Sequence, residues 1–576
     1  MSKIWTGRFE GYSLDYFKKD LLSGTIVGIV AVPLAMSFAI ASGVKPEYGI
    51  YTAVIAGILI SLLGGSKYQI GGPTGAFVPI LLGIVIAYGY ENLLLAGLMA
   101  GIMLVLMGLF RLGSLIKYIP RPVTIGFTAG IAVIIFAGQL ANFLGLRDIE
   151  QHERFLDNML EIGSHLHTVN VYSILVAMIC FLVMLGTPRV LPKVPGALVG
   201  IVVSAVATVL FFNGQVATIG STYGSIPNEL PNFGIPEITM DKIMMLLGPA
   251  FVIAMLGGIE SLLSAVVADG MTKSKHNSNR ELLGQGIANI VTPLFGGIPA
   301  TGAIARTATN IKSGAASPIS GIVHCIFVLL TLLVLAPFAV HIPLASLAPV
   351  LMMVAWNMSE RKHFAHILKL KSGDSLVLVV TFLLTVFASL TVAVEVGLLT
   401  SLVLFTKRMS GMLVVSKVLP DHSNDAGKVN AEVVSSGHDC PQVCIYSVEG
   451  PLFFGSAQTF EQSILPSMNR SPLVCILRLG KVSLIDTTGE EYFRNILRDY
   501  QSRGCTMLLT GVRPNLMKSF DQTGLTAEIG EENFYAHTGD AIDRAISSLN
   551  HDACHGCKHF AFKECTKLVR PVMQQK

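Results

Sequence analysis

Long apolar runs separated by short polar turns fill the first 410 residues of the chain. Most of them are long enough to cross about 30 Å of hydrocarbon as helices. They lie at 22–42, 48–64, 93–110, 123–144, 171–187, 194–212, 244–269, 318–337, 343–357, 374–391 and 394–408, with shorter runs at 76–88, 284–296 and 303–316. The pattern predicts fourteen membrane segments, an even number that places both termini on the same side of the lipid bilayer.

The composition agrees with this pattern. Of the 576 residues, 52% are hydrophobic and only 14% are charged, and the mean hydropathy of +0.62 is too high for a soluble protein of this length. The first twenty residues lack an apolar stretch followed by a small-residue cleavage site, so we expect no removable signal peptide. Because the net charge is only +4, we expect no nucleic-acid partner.

The positions of lysine and arginine predict the orientation. If Lys18 and Lys19 lie in the cytoplasm, so do the loops that contain Arg111, Lys117, Arg121, Arg189, Lys193, Lys273, Lys275, Arg280, Arg361, Lys362, Lys369 and Lys371. The loop 213–241, predicted to lie outside, contains no Lys or Arg in its sequence. We therefore expect a multi-pass protein of the cytoplasmic membrane with both termini in the cytoplasm.

Two polar breaks interrupt the apolar pattern in the same way. Residues 71–79 read GGPTGAFVP and residues 296–310 read GGIPATGAIARTATN, so Thr-Gly-Ala recurs after 227 residues. Non-helical chain at membrane depth must be buried in protein or line a water-filled cavity. We interpret the recurrence as two inverted repeats of seven spans whose broken helices meet at the midplane with their N-termini, which attract an anion. The alternative is that these glycines only allow tight helix packing.

Ionisable residues sharpen this hypothesis. Glu260 lies mid-span with Ser264 one turn further on, and oxygen ligands at this spacing suit Na⁺, whereas a carboxyl group with a raised pKa carries a proton. Alternatively, a protonated Glu260 makes a structural hydrogen bond. Arg306 follows the second break and can bind an oxyanion bidentately, or it merely pairs with Glu260.

These stretches resemble a known family. DLLSGTIVGIVAVPLAMSFAIASGVKPEYGIYTAVIAG, GGPTGAF and the segment from Glu260 to Asn310 are similar to the SulP anion transporters, although Leu34 stands where many members have Gln. The resemblance implies a homodimer and an elevator-like movement of a core domain (22–115 and 244–338) against a gate domain (116–243 and 339–410). It also implies an anion site formed by Phe38, Thr74, Gly75, Ala76, Gly302, Ala303, Ile304 and Arg306.

The same resemblance bears on coupling. In a sodium-coupled bicarbonate member, an acid and a hydroxyl residue match Glu260 and Ser264, so the cation, Na⁺ or H⁺, is expected near Thr301 and Gly302. Arg306 resembles the sulfate-type and animal members. Apart from Na⁺ as a candidate coupling ion, we expect no cofactor in the membrane part.

The remainder of the chain is expected to lie outside the membrane. It comprises an N-terminal segment (1–21), a linker (411–439), an α/β domain (440–550) and a tail (551–576). Strand-like runs at Val443–Val448 and Leu473–Leu479 alternate with helical ones. This pattern resembles the STAS domain attached to SulP transporters. The resemblance makes cytoplasmic regulatory proteins candidate partners of this domain.

The DTTG sequence at 486–489 matches the loop that opens a helix in STAS domains. In related bacterial antagonists of anti-sigma factors a Ser of such a loop is phosphorylated, which makes Thr487 or Thr488 a candidate. The simpler interpretation is a helix N-cap.

Seven of the nine cysteines follow residue 439. A cytoplasmic domain keeps thiols reduced, so we expect no disulfides. The tail contains a CxxC with two further ligands, and Zn²⁺ or an oxidation-sensitive site is a candidate there, formed by Cys554, Cys557, His559 and Cys565.

Together these features predict a secondary active transporter of a small inorganic oxyanion, sulfate first among them, driven by Na⁺ or H⁺. A bicarbonate or C4-dicarboxylate symporter of the same family is the first alternative. A nucleobase permease of similar fold and a non-transporting anion sensor remain as others. No nucleophile and base pair or catalytic metal motif favours an enzyme.

Overall fold

The protein forms two compact units, residues 1–401 and 402–576. The computed structural model describes residues 8, 12–114, 119–191, 194–229, 231–388, 390–420, 429–430, 434, 439–468, 472–555, 557–559 and 561–565.

Helices dominate the first unit, and every predicted membrane segment corresponds to one of them. They are α1 Leu14–Ala41, α2 Pro46–Leu63, α3 Val78–Tyr88, α4 Tyr90–Leu109, α5 Arg121–Gly138, α6 Leu140–Leu144, α7 Phe155–Ser164, α8 Val171–Val190, α9 Gly196–Phe211, α10 Ile219–Tyr223, α11 Met240–Thr272, α12 Ser278–Val291, α13 Ile304–Lys312, α14 Ile319–Ala339, α15 Leu344–Met358, α16 Arg361–Lys369, α17 Gly373–Phe387 and α18 Leu390–Ser410. Two-residue strands, β1 Gly71–Gly72 and β2 Thr301–Gly302, precede α3 and α13.

Length and apolar composition qualify only some of these helices as membrane spans. Within the described residues seven helices are long and apolar enough, and three shorter apolar stretches lie at 75–88, 196–211 and 373–387. The remaining predicted segments form helices that are shorter or more polar. A multi-pass helical protein is therefore clear, whereas the number of fourteen spans stays a prediction.

The helices of the first unit pack in two groups. In one group α1 packs on α2 and α14, α12 packs on α2 and α4, and α11 packs on α4 and α13. In the other group α5 packs on α15 and α17, and α8 packs on α9 and α15. The first group lies among the segments predicted as core and the second among those predicted as gate, but the division into two domains stays a prediction. The movement of one domain against the other stays a prediction.

Small residues bring two core helices into close contact. A Cβ atom added at Gly101 of α4 would lie 2.6 Å from the backbone nitrogen of Ile290 in α12. A Cβ atom added at Gly286 of α12 would lie 2.6 Å from the nitrogen of Val105. Glycine at these positions allows the two backbones to touch, as is typical of helices packed within membranes.

A five-stranded sheet forms the centre of the second unit. Its order is β3 Val414–Lys417, β6 Val443–Leu452, β7 Val474–Ile485, β8 Thr506–Thr510 and β9 Phe534–Tyr535. The strand β3 is antiparallel to β6, and the other neighbours are parallel. A separate pair joins β4 Leu419–Pro420 to β5 Val429–Asn430. Apolar clusters cover both faces of the sheet, as the buried strand sequences require.

Helices connect these strands in the alternation that the sequence predicts. They are α19 Ala457–Met468, α20 Thr487–Ser502, α21 Pro514–Thr523, α22 Leu525–Ile529, α23 Thr538–Ser547 and α24 His551–Cys554. The prediction was wrong at one boundary, because Val414–Lys417 lies in the predicted linker but pairs with Tyr446–Glu449. This edge strand is only four residues long, and its pairing partner follows about thirty residues later, so no local pattern marked it.

The DTTG stretch lies at the start of α20. Asp486 is the N-cap residue, and its carboxylate accepts hydrogen bonds from the backbone nitrogen atoms of Gly489 at 2.7 Å and Phe454 at 3.1 Å. The simpler interpretation of an N-cap is therefore observed. Thr487 is exposed and Thr488 is partly exposed, so phosphorylation of either hydroxyl stays a prediction.

We predict that Asp486→Ala loosens the first turn of α20. Loss of an N-cap costs roughly 1 kcal/mol, so amide hydrogen exchange in this turn should become about fivefold faster, measured by mass spectrometry on the full-length protein. Asp486→Asn is the matched control, because Asn caps a helix as well as Asp does. Equal protection in the Ala variant and the unmodified protein would contradict the assigned role.

Candidate functional site

The two polar breaks meet as a pair of short antiparallel strands. Gly71 lies opposite Gly302, Gly72 lies opposite Thr301, and the backbone nitrogen of Ala303 donates to the carbonyl oxygen of Ile70 at 2.8 Å. Each break thus supplies the backbone hydrogen bonds that the other lacks. This pairing makes non-helical chain tolerable inside a helical membrane protein.

A helix begins directly after each of these strands. Thr74 precedes a 3₁₀ turn at Gly75–Phe77 that continues into α3, and Ala303 precedes α13. Neither Thr74 nor Ala303 caps its helix with a side-chain hydrogen bond. Both N-termini consequently present backbone N–H groups and the positive end of a helix dipole to the same region, an arrangement that attracts an anion.

Arg306 is held beside the strand pair. It is only 3% exposed, and its Nη2 atom donates to the carbonyl oxygen of Pro73. Its Nη1 atom is buried and has no hydrogen-bond acceptor among the residues that the structure describes. Gly72 has a φ of +147°, which L side chains rarely adopt, and a Cβ atom there would also lie 2.8 Å from Nη1, so glycine suits this position. A buried cationic donor is costly unless it meets an acceptor.

Glu260 approaches the same break from α11. Its Oε2 atom accepts a hydrogen bond of 2.9 Å from the Thr74 hydroxyl, and the side chain is partly exposed. The alternative in which Arg306 merely pairs with Glu260 does not describe this structure, because Arg306 donates to Pro73 and makes no ion pair with the carboxylate. The acid and the base flank the Pro73–Thr74 segment.

The hydroxyl groups near Glu260 have different partners. Ser264 donates to Thr307 at 3.2 Å, whereas Thr301 interacts with Ser261 at 2.7 Å. Ser261 also accepts a hydrogen bond of 3.1 Å from the backbone nitrogen of Gly302. Thr301 and Gly302 of the strand pair thus contact Ser261, whereas Glu260 contacts Thr74 and Ser264 contacts Thr307. Binding of a cation by this set stays a prediction.

Ser261 is a site residue that the sequence analysis missed. It follows Glu260 directly, and its place beside a mid-span acid was the available signal. Its hydroxyl ties α11 to β2, as described above. Gln69 is a second residue of the site that the sequence pattern did not mark. Its amide nitrogen donates to the carbonyl oxygen of Ser261 at 3.1 Å and to Glu281 at 2.7 Å.

Glu281 supports the first break from α12. It is fully buried, and besides Gln69 it accepts hydrogen bonds from the backbone nitrogen atoms of Gly65 and Ser66 at 2.7 and 2.9 Å and from Gln285 at 3.1 Å. A buried carboxylate with this number of donors is fully satisfied. It fixes the chain that enters β1 and so helps to position the site.

The aromatic residue predicted to line the site lies next to the first half-helix. Phe38 is buried, and a Cβ atom at Gly75 would lie 3.4 Å from its ring. The same atom would lie 3.3 Å from Met358 and 3.4 Å from Ile135, two residues that the sequence did not single out. The backbone at Gly75 thus lies close to side chains of both predicted domains.

The other predicted lining residues differ in exposure. Ala76 and Ala303 are 1% and 7% exposed, whereas Ile304 is 37% exposed. Both alanine side chains are buried, and the backbone nitrogen of Ala303 already donates to the carbonyl oxygen of Ile70, so Ala303 has no free N–H group to offer an anion. The role of these residues stays a prediction.

The predicted metal ligands lie in the second unit. Cys554, Cys557, His559 and Cys565 line one small cavity, together with Cys440. Within the part of the chain that the structure describes, no three His, Cys, Asp or Glu side chains already stand in a metal-binding arrangement.

The fold is that of a multi-pass membrane protein, and comparison with known proteins places the chain among transporters and not among enzymes. The profile of the sulfate permease family matches residues 17–381, and that of the STAS domain matches residues 437–541. The chain belongs to the sulfate permease family and has a C-terminal STAS domain. The resemblance inferred from the sequence is confirmed.

Individual relatives agree with this assignment. The chain is 55% identical over 533 residues to the putative sulfate transporter YvdB of Bacillus subtilis, covering 92% of this chain and 98% of the relative. It is 27% identical to the bicarbonate transporter BicA of Picosynechococcus sp., covering 92% and 95%.

Solved structures share the fold. The murine Slc26a9 anion transporter in the inward-facing state superposes with a TM-score of 0.83 at 18% identity, covering 93% of this chain and 92% of that one. The transmembrane domain of a cyanobacterial BicA gives a TM-score of 0.59 at 28% identity, covering 68% and 98%.

We predict that Arg306→Ala weakens anion binding while the protein stays folded and inserted. Removal of one charge-assisted contact costs roughly 1.5 to 3 kcal/mol, or about tenfold or more in affinity. Calorimetric titration of the purified variant with sulfate measures the change. Arg306→Lys is the control, since it keeps the charge but loses the planar fork. Unchanged affinity in the Ala variant would remove Arg306 from the site.

A second prediction concerns the strand pair. A Cβ atom at Gly302 would lie 2.1 Å from the Gln69 amide nitrogen, so Gly302→Ala should displace Gln69 and cost roughly 1 to 3 kcal/mol. Thermal unfolding and sulfate affinity should both decrease. Gly270→Ala in α11 is the matched control, because nothing lies within 4 Å of its added Cβ atom. Equal unfolding temperatures and equal sulfate affinities of the two variants would show that neither property depends on the contact between Gly302 and Gln69.

Proposed function

We propose that the protein is a secondary active transporter that imports a small inorganic oxyanion, sulfate first among the candidates, with Na⁺ or H⁺ as the driving ion. The observation that carries the proposal is the buried Nη1 donor of Arg306 beside two uncapped helix N-termini. These three features supply positive potential and N–H donors at one place. An oxyanion with several acceptor atoms satisfies all of them at once.

Sulfate fits this site better than bicarbonate for an electrostatic reason. Sulfate has two negative charges and four oxygen atoms, so it gains more from a fixed guanidinium and two helix dipoles than a singly charged ion does. The name of the 55% identical relative supports sulfate. Bicarbonate remains a second candidate, because the BicA relatives are bicarbonate transporters.

Coupling follows from the position of Thr74. This residue precedes the first half-helix and also donates its hydroxyl to Glu260. An unneutralised carboxylate at this place repels an incoming anion. A proton or Na⁺ at Glu260 removes that repulsion, so the cation and the anion strengthen each other's binding, as linkage requires.

A coupled cation lowers the free-energy cost of moving the anion across the membrane. An anion entering a cell with a negative interior climbs about 2.3 kcal/mol per charge per 100 mV. A cation that moves with the anion offsets this cost. We propose that the helices predicted as core carry both ions past those predicted as gate in an elevator-like movement, in a homodimer of the cytoplasmic membrane with cytoplasmic termini.

Uptake into proteoliposomes tests the proposal. Labelled sulfate, bicarbonate and fumarate are offered under separately imposed Na⁺ and proton gradients, with uracil as a competitor. Concentrative uptake of sulfate under one gradient supports the proposal. Preference for another anion would change the substrate, competition by uracil would indicate a nucleobase permease, and binding without accumulation would indicate a sensor.

We predict that Glu260→Gln abolishes gradient-driven accumulation, because it removes the charge and the titratable proton while keeping the shape. Anion binding should survive. Glu395→Gln makes the same chemical change on an exposed side chain of α18 and is the matched control. Should the Glu260 variant still concentrate sulfate under the same driving force, Glu260 is structural and coupling occurs elsewhere.

A further inference from the structure

The short helix α16 carries different kinds of side chain on its two faces. Phe364 and Ile367 are partly buried, and the Phe364 ring packs edge-on against Phe382 of α17 with 5.4 Å between the ring centroids. Lys362 and Lys369 lie about two turns apart and therefore on one face, and both are exposed. A helix with one apolar and one basic face is typical of a segment that lies along a membrane surface.

The neighbouring helices place α16 at the end of the helical bundle. Before it, α15 ends at Met358, and after it α17 begins at Gly373, and both helices correspond to predicted membrane segments. A helix that links two such segments lies at the level of the lipid headgroups. By the distribution of Lys and Arg along the chain, this end is the one predicted to face the cytoplasm.

The start of α5 adds a further cation to the same end. A Cβ atom added at Gly126 of α5 would lie 2.6 Å from the carbonyl oxygen of Leu378, and one added at Gly130 would lie 2.6 Å from Thr385. The helices α5 and α17 therefore run side by side in the same direction. Arg121, the first residue of α5, consequently lies at the end where α17 begins, and its side chain is exposed.

The exposed cations at this end form one basic surface, made up of Arg121, Arg361, Lys362, Lys369 and Lys371. Within the part of the chain that the structure describes, none of these five side chains forms an ion pair. The acidic residues Glu360 and Asp374 flank α16, whose own sequence contains no Asp or Glu. The positive charge of the basic surface is thus open to an external anion.

A tryptophan lies beside this surface. Trp356, in the last turn of α15, is 52% exposed, and the guanidinium carbon of Arg361 lies 3.9 Å from the centroid of its ring. Tryptophan rings are enriched where the apolar core of a membrane meets the headgroups. Leu368 and Leu370 are also exposed. Apolar and cationic groups are therefore available side by side.

We propose that the basic surface binds the headgroups of anionic phospholipids in the leaflet that it faces. Anionic leaflets attract Lys and Arg at the membrane surface, and guanidinium groups bind phosphate oxygen atoms bidentately. A phospholipid, unlike a soluble anion, also has acyl chains that contact Trp356, Leu368 and Leu370. Orientation by positive charge alone requires neither an amphipathic helix nor an exposed aromatic ring. Because α16 packs on α5 and α17, bound lipid would hold these helices at the membrane surface.

The fluorescence of Trp356 tests this proposal. The chain contains two tryptophans, so Trp5→Phe leaves Trp356 as the sole reporter. The full-length Trp5→Phe protein is reconstituted into mixed vesicles of phosphatidylglycerol and phosphatidylcholine, in which only one of the two lipids has brominated acyl chains. Bromine quenches tryptophan on contact, so the two labelling patterns together give the share of each lipid at Trp356. We expect a preference for phosphatidylglycerol that decreases with added salt.

Two double variants in this background give a matched comparison. Lys362→Gln with Lys369→Gln removes two charges from the basic surface and keeps Arg361 beside the reporter. The preference should decrease by about fivefold per charge removed, the factor that corresponds to roughly 1 kcal/mol per basic residue. Lys518→Gln with Lys558→Gln removes two exposed charges from the second unit and should leave the preference unchanged.

Three results would overturn the proposal. The first is equal quenching of the Trp5→Phe protein by the two brominated lipids. The second is a preference that persists when Lys362 and Lys369 are replaced, which would place the lipid contact elsewhere. The third is an equal loss in both double variants, which would indicate an effect of net charge.

Gel filtration shows whether each variant is folded. The salt dependence of quenching in the Trp5→Phe protein tests the proposal even if a double variant fails to fold, because a preference that salt does not weaken would contradict binding by exposed charges. None of these readouts depends on anion transport.

Discussion

The hydrogen bonding between two short strands underlies the arrangement of the membrane unit. Two stretches of non-helical chain lie within a helical membrane protein, where water does not satisfy unpaired backbone groups. Pairing of Gly71–Gly72 with Thr301–Gly302 satisfies these groups. Because each strand leads directly into a helix, the same pairing directs two helix N-termini to one place. The strand pairing that satisfies the backbone hydrogen bonds thus also creates a region of positive potential.

Polar side chains that are buried around the strand pair hold it in position. Ser261 connects it to α11, and Gln69 passes the connection on to Glu281 in α12. Buried polar groups of this kind are favourable only when they have hydrogen-bond partners. Glu281 meets this condition with four donors, whereas the Oε1 atoms of Gln69 and Gln285 have no donor among the described residues. Beside this network, the Nη1 atom of Arg306 is a buried donor without an acceptor among the described residues. Rigid support and an unmet donor together are what a binding site for a small anion requires.

In the second unit, apolar burial and not a polar network holds the chain segments together. Its sheet is buried on both faces by helices, and the tail covers part of one face through Ala561 and Phe562. Apolar burial positions the tail, and this brings Cys440 to the other thiols.

The sequence alone determined the class of the protein and the kinds of its elements. Apolar runs of membrane length predicted the helices, and the repeated Thr-Gly-Ala located the two breaks, since both are local patterns along the chain. The partners were decided by tertiary structure. Arg306 contacts Pro73 and not Glu260, Ser264 contacts Thr307, and Val414–Lys417 joins the sheet, in each case across a long stretch of chain. Such contacts depend on how distant segments pack, which periodicity does not encode, because a side chain's spacing identifies its face but not what that face will meet.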